Sequence, residues 1–438
     1  MLFLHQVPPL ASLEDLRYSL QKAIELEHAT IPTYLTALYS IKDGTNLEIA
    51  RLLKSIVVEE MLHMSLACNV LNAIGGHPVI NQPSFIPTYP GPLPMGIGSE
   101  PGKPFDVPLK KLSKELIREV FMVIEEPEDP LHFKVKAVDF ATEAQQFKTI
   151  GQFYEDIKNK IEELGQGIFT GDPSLQVTGW FSSTELFPVT DVASAKRAID
   201  IIITQGEGTR ISPMDAEDMP AHYYRYEEIY RGRYLVKDPS EPEGYSFSGK
   251  PIKFDKDGVL PMADNPGTQD FPQGSLALRL ANQFDYTYTS LLNSLHQTFN
   301  GEPKRLDAAL GLMFSLKLLA QQLMATPLPG TKANAGPRFL YSPLPKGSVA
   351  PGTSSSAQTA AFTAVSPSAP ARKNVVAKKA SPVKKAAAVK KAPAKSASAK
   401  KAAAVKKVPA KKAPVKKAAA KKAPAKKAVA QRQARPRR

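Results

Sequence analysis

The chain has 438 residues, 42% of them hydrophobic, which is enough for two or three domains with a sizeable core. Its net charge of +15 is segregated: from Lys346 onward there are 26 Lys or Arg and no Asp or Glu, and positions 1–345 carry a net −11. The single cysteine, Cys68, excludes an intramolecular disulfide and agrees with a reducing compartment. No segment approaches the ~20 apolar residues of a membrane span. The opening Met-Leu-Phe-Leu-His-Gln lacks the basic start and the apolar length of a secretory signal, so a cytoplasmic location is expected.

In chain order, residues 12–42 read as a helix. Ser12 is placed to cap it, with Asp15 three residues on. Leu13, Leu16, Leu20, Ile24, Ile31, Leu35 and Leu38 recur at helical spacing, and Pro32 should kink or interrupt the ladder. A second helix spans 46–74 and stops at Gly75-Gly76; the short Asp43-Gly44-Thr45 link makes the two antiparallel neighbours. Residues 77–110 are a long Pro- and Gly-rich excursion. A short helix is expected at 113–124, ended by Glu125-Glu-Pro-Glu-Asp-Pro130. Longer ones follow at about 140–164 and 191–207, then a shorter one at 220–231. Residues 235–272 look irregular or β-type, two more helices are expected at 274–299 and 303–325, and the ordered part should end near Pro343. The pattern predicts an all-α fold: a four-helix bundle with long excursions and extra C-terminal helices. Its expected divisions are a bundle over 1–235, an irregular segment with packed helices over 236–345, and a disordered basic tail over 346–438.

The chemistry lies in polar residues that occupy core positions. On the first helix the apolar row passes through Glu27. On the second it passes through Glu60 and His63, a Glu-x-x-His pair on one face. A buried carboxylate is costly unless paired or bound to a metal. Bundles that hold two irons use one Glu from each of two helices and Glu-x-x-His from each of the other two. Such oxygen and imidazole donors suit iron, with manganese as the alternative. The fourth long helix offers Glu207, but position 210 is arginine; the nearest histidine is His222, which an insertion of about a dozen residues would carry inward. On the third long helix Gln152, Glu155 and the earlier Glu143 lie off the apolar face.

These motifs resemble a known family. Glu27-His-Ala-Thr-Ile-Pro-Thr-Tyr, Glu59-Glu-Met-Leu-His63, Leu71-Asn-Ala-Ile-Gly-Gly, Gly151-Gln-Phe-Tyr154, Gln205-Gly-Glu-Gly208 and Ala221-His222-Tyr-Tyr are similar to the ferritin-like domain of iminophenyl-pyruvate dimer synthases of violacein- and rebeccamycin-type biosynthesis. The resemblance covers roughly residues 10–340. It implies a ferritin-like bundle binding iron through Glu27, Glu60, His63, Glu207 and His222. It also implies an oxidative role on a small organic substrate, in the known members the coupling of imines derived from an aromatic amino acid. The third long helix supplies no ligand, so a mononuclear or an asymmetric site stays open beside a symmetric pair. Tyr34 and Tyr154 are candidates to hydrogen-bond the carboxylates, with core packing the alternative.

The expected partners are a small substrate and dioxygen or peroxide, with no membrane and the oligomeric state left open. The tail, irregular repeats of Lys-Lys-Ala-Pro and Lys-Lys-Ala-Ala-Ala, resembles the tails of linker histones. Lysines such as Lys378, Lys379, Lys384, Lys385, Lys411, Lys412, Lys416, Lys417, Lys421 and Lys422 should attract nucleic acid or another polyanion. No aromatic residue follows Phe362, so sequence-specific stacking is not expected. Competing readings are a nucleoid-associated protein that uses the bundle as a scaffold or iron-handling module, and a bundle without metal that serves only as structure.

Overall fold

A computed structural model describes residues 2–100, 103–127, 149–208 and 212–342. The basic tail, including every lysine named above, lies outside the described residues.

Helix α1 (Leu13–Tyr39) starts at a capping box in which Ser12 and Asp15 satisfy each other's backbone N–H groups. It runs on through Pro32. The ring removes one ladder bond, and the Thr36 hydroxyl donates to the Pro32 carbonyl at 2.7 Å. Helix α2 (Leu47–Ala73) returns alongside it after the short link and is followed by a left-handed turn at Gly75 (φ 73°). The stretch α3 has three consecutive parts: an α turn at Lys114–Leu116, a π segment at Ile117–Phe121 and an α turn at Met122–Ile124.

Helix α4 (Ile150–Leu164) begins later than the expected 140. Thr149 has extended backbone and forms a capping box with Gln152, so the helix starts at Ile150. The expected inward Phe147 and the early carboxylate Glu143 lie outside the described residues. Helix α5 (Val192–Glu207) is capped by Asp191 and Ser194, and α6 (His222–Arg231) follows the insertion. Helices α7 (Leu276–Phe299) and α8 (Leu306–Met324) form a C-terminal hairpin. Among the described residues three two-stranded antiparallel ribbons decorate the excursions, including Val236–Lys237 with Tyr245–Ser246.

The helices α1, α2, α5 and α4 contact one another in a closed ring, which defines a four-helix bundle. The short α6 packs against α2, α5 and the π segment, plugging one side of the ring. The α7–α8 hairpin lies against the outer side of α1 and α2. Buried polar clamps hold it there: Asn72 donates to the Phe299 carbonyl at 2.9 Å, and Tyr288 meets His28 at 2.7 Å. Among the described residues no helix is long and apolar enough to cross a membrane.

Candidate metal centre

The bundle interior is apolar along most of its length, with Leu20, Ile24, Ile56, Ile157, Ile161 and Ile199 buried in it. Polar side chains interrupt that core at one level. Glu27 sits one helical turn after Ile24 on the inner face of α1, because residues three and four apart share a face. Glu60 and His63 meet the same condition on α2. His222 is the first residue of α6, so the packing of that helix pushes its imidazole into the ring. Relative exposures of 0% for His222, 2% for His63, 3% for Glu60 and 6% for Glu27 place all four out of water.

Their atoms form two triads. Glu27, Glu60 and His63 bring one ligand atom each within 4.8 Å of one another, and Glu60, Glu125 and His222 do the same. Glu60 belongs to both. His63 Nδ1 lies 3.4 Å from Glu27 Oε2, and His222 Nδ1 lies 2.9 Å from Glu60 Oε1 and 3.5 Å from Glu125 Oε2. His222 Nδ1 nonetheless has no aligned hydrogen bond. A buried nitrogen that faces two carboxylate oxygens without an aligned hydrogen bond is one that a cation could take up in exchange for its proton.

The surroundings orient both imidazoles through their other nitrogen. His63 Nε2 lies 2.9 Å from the Gln205 amide oxygen, and His222 Nε2 lies 2.9 Å from Glu59 Oε2. In each ring Nε2–H donates outward and Nδ1 is left to the interior. Tyr154 donates to Glu27, Tyr34 donates to Glu125 at 2.5 Å, and Thr30 donates to Glu60 at 3.0 Å. Burial, then the adjacent carboxylates, keeps both phenols protonated well above their ordinary range.

Charge explains why this cluster needs a cation. Burial pushes Glu60 up to about 7, helped by the Glu125 and Glu27 carboxylates and opposed by His222. Burial works against protonated His63, but Glu27 and Glu60 outweigh it and raise its pKa. Burial likewise opposes charge on His222, and the Glu125, Glu59 and Glu60 carboxylates raise it well above 6.5. Three carboxylates sharing a dry site hold protons on the imidazoles that a metal ion would replace. The donor set of oxygens and imidazole nitrogens therefore fits iron or manganese.

The placement of the expected residues is specific. Glu27, Glu60, His63 and His222 converge, and Tyr34 and Tyr154 donate to the carboxylates. Glu207 closes α5, but its side chain lies outside the described residues. Arg210 and its neighbours do as well. Glu155 is turned away and pairs with Lys158 at 2.7 Å, and Gln152 caps its own helix. Sequence reasoning missed Glu125, taking its segment as a breaker only. The signal was present: Ile117, Phe121 and Ile124 are buried, and Glu125 stands four residues after Phe121 on the same face. The π segment hid it, since it departs from the 3.6-residue period used to read faces.

A closed four-helix ring with paired carboxylates and histidines at one level agrees with what comparison shows. Residues 20–231 match the profile of the Ferritin-like family. The chain carries a ferritin-like domain. A crystal structure of a ferritin-like protein from Caulobacter vibrioides is similar to it, with a TM-score of 0.50 and 25% identity over 76% of this chain and 100% of that one. Curated proteins gave no significant match. The ferritin-like match spans α1 to α6, including all five residues of the two triads, and the α7–α8 hairpin lies beyond it.

Proposed function

We propose that the ferritin-like domain is a non-haem iron oxidoreductase whose site takes two cations, one at Glu27–Glu60–His63 and one at Glu60–Glu125–His222. The observation that carries this reading is the pair of triads sharing Glu60, buried throughout except for the half-buried Glu125. When bound, iron supplies one- and two-electron chemistry with dioxygen or peroxide. The protein's part is to hold the donors and shape the space beside them. A cleft with about 510 Å³ of empty volume, its open mouth included, adjoins the triads. Leu26, Ile124, Ile150, Ile202 and Ile203 wall it, and Gly151 and Gly206 leave room. Apolar walls keep water from competing at the site and suit a small organic substrate. Tyr154 and Tyr34 keep the carboxylates Glu27 and Glu125 oriented by donating protonated phenols. The resemblance to iminophenyl-pyruvate dimer synthases supports an imine of an aromatic amino acid as the first substrate to assay.

Reconstitution of the full chain with iron(II) under argon, followed by metal analysis, tests the reading. About two equivalents per chain are expected, with oxygen uptake on admission of air. Less than about half an equivalent, unchanged by Glu60→Ala, would overturn it.

The tail supports a second role, the binding of polyanions. Within 371–438 there are 25 Lys or Arg and no acidic residue. Such a segment gains affinity by releasing counterions from a phosphate backbone, with little dependence on base sequence. Duplex DNA affinity should fall steeply with salt and vanish on deletion of 371–438. Undiminished binding by the truncated chain would assign it elsewhere.

A further inference from the structure

A second cleft lies on the other side of the α1–α2 layer from the triads. The α7–α8 hairpin and the segment carrying Val177, Trp180, Phe181 and Leu186 close over α1 and α2 there. The empty volume is about 820 Å³, the open solvent at its mouth included. No Lys, Arg, Asp or Glu lines it. Its walls combine leucines and other aliphatic side chains with aromatic and thioether ones, Phe181, Phe299, Phe339, Met61, Met64 and Met313 among them. Flat rings and polarizable sulfur pack well against a planar guest.

Among the polar side chains of the lining, Ser65 donates to the Met61 carbonyl, and His28 pairs with Tyr288. His28 is 4% exposed, and its Nε2 lies 2.7 Å from the Tyr288 hydroxyl. Its Nδ1 is buried with no hydrogen-bond partner. Such a group costs stability unless something meets it. With no charged side chain in the lining, a charged guest would meet no counter-ion there. Since His28 follows Glu27 and Met64 follows His63, and successive side chains on a helix point about 100° apart, the cleft and the triads use different faces of α1 and α2. A guest in the cleft therefore occupies a site other than the reaction chamber.

We propose that this cleft binds a small, neutral aromatic molecule carrying one hydrogen-bonding group, which meets His28 while the ring lies among the aromatic and methionine side chains. The site is independent of the proposed metal chemistry.

The chain's only tryptophan, Trp180, lines the cleft, so its fluorescence reports occupancy directly. Full-length protein, both metal-free and iron-loaded, is titrated with 4-bromophenol, bromobenzene and dodecanoate. 4-Bromophenol should quench Trp180 saturably and equally in both forms. Bromobenzene should bind about fivefold more weakly, the value of one hydrogen bond. His28→Phe should bring 4-bromophenol down to the bromobenzene level. Leu310→Tyr, which adds bulk at a half-buried wall position, should abolish both responses and serves if His28→Phe does not fold. Absence of saturable quenching, quenching retained in Leu310→Tyr, or tighter binding of dodecanoate would each overturn the proposal. Dependence of 4-bromophenol binding on iron would overturn it too, by placing the phenol at the triads.

Discussion

His222 Nε2 faces the Glu59 carboxylate at 2.9 Å, whereas His63 Nε2 faces the neutral Gln205 amide at the same distance. An anionic acceptor makes the imidazole a stronger donor than a neutral one does. Burial favours the uncharged acid at Glu59, but Arg225 and His222 override it and hold its pKa down to about 2. Arg225 is itself buried, with Nη1 2.8 Å and Nη2 2.7 Å from the two Glu59 oxygens. The two halves of the site are therefore electronically unequal. Glu59→Gln should weaken metal affinity in the His222 half by about 10- to 100-fold and leave the His63 half near wild type. Competition titration with a chelator, counting two binding steps, checks this. The same substitution removes the close carboxylate from Arg225 and leaves it Asp215, 3.8 Å away, with hydrogen bonds to Ser55 and the Pro220 carbonyl, so denaturant unfolding should show a loss of about 3 kcal/mol.

Glu60 stands in both triads, and Glu27 and Glu125 in one each. Glu60→Ala should abolish both binding steps. Glu27→Ala and Glu125→Ala should each remove one, so their metal contents should be about half that of the wild type. If Glu125→Ala binds as much iron as the wild type, the second triad is not a metal site. The metal-free protein should respond in the opposite sense. Glu60 is held at a pKa of about 7 by burial and by carboxylate neighbours, so Glu60→Gln removes repulsion. That variant should melt no lower than metal-free wild type at pH 8.

The bundle was legible because its signals are local and agree with one another. Ser12 and Asp15, the helical apolar rows and the Gly75-Gly76 stop are read over a few residues, and each maps to an observed helix end or face. Glu27, Glu60 and His63 were legible for the same reason, as polar interruptions of a regular row. His222 needed an insertion to be postulated, because its neighbour in the site, Glu60, is 162 positions away and no period links them. Glu125 was hidden by the π segment. The apolar cleft was invisible, since it arises where α7 and α8 meet α1 and α2, and contacts between distant segments leave no trace in either pattern alone.

His28 supplies a pH test. Its pKa falls from 6.5 to about 3 because burial disfavours the imidazolium. Between those values the unfolded chain binds a proton that the folded chain does not. Stability therefore rises with pH in this window and is lost as pH falls below 6.5, with a slope of up to about 1.4 kcal/mol per pH unit. His28→Phe should lose this contribution. The difference between the wild-type and variant melting temperatures should thus shrink, or change sign in favour of the variant, from pH 6.5 to pH 4.5. Parallel curves would show that His28 is protonated in the folded protein.

The segment that closes the apolar cleft is held to α2 at two points, and both can be broken. Asn69, fully buried, donates from Nδ2 to the Val177 carbonyl at 2.8 Å and accepts the Val177 N–H at 3.0 Å. Asn69→Ala leaves both backbone groups without partners and should cost about 2–4 kcal/mol. At Gly171 the backbone N–H donates to the Ala73 carbonyl at 3.0 Å, and a Cβ there would lie 1.7 Å from the Asn72 carbonyl oxygen. Backbone cannot give way as a flexible side chain can, so Gly171→Ala should cost about 3 kcal/mol or more and displace the segment. Because Trp180 rides on that segment, its emission should shift to longer wavelength in both variants while far-UV circular dichroism is retained. Trp180 emission unchanged in a folded Gly171→Ala protein would mean that the close approach of Gly171 to α2 does not position the wall of the cleft.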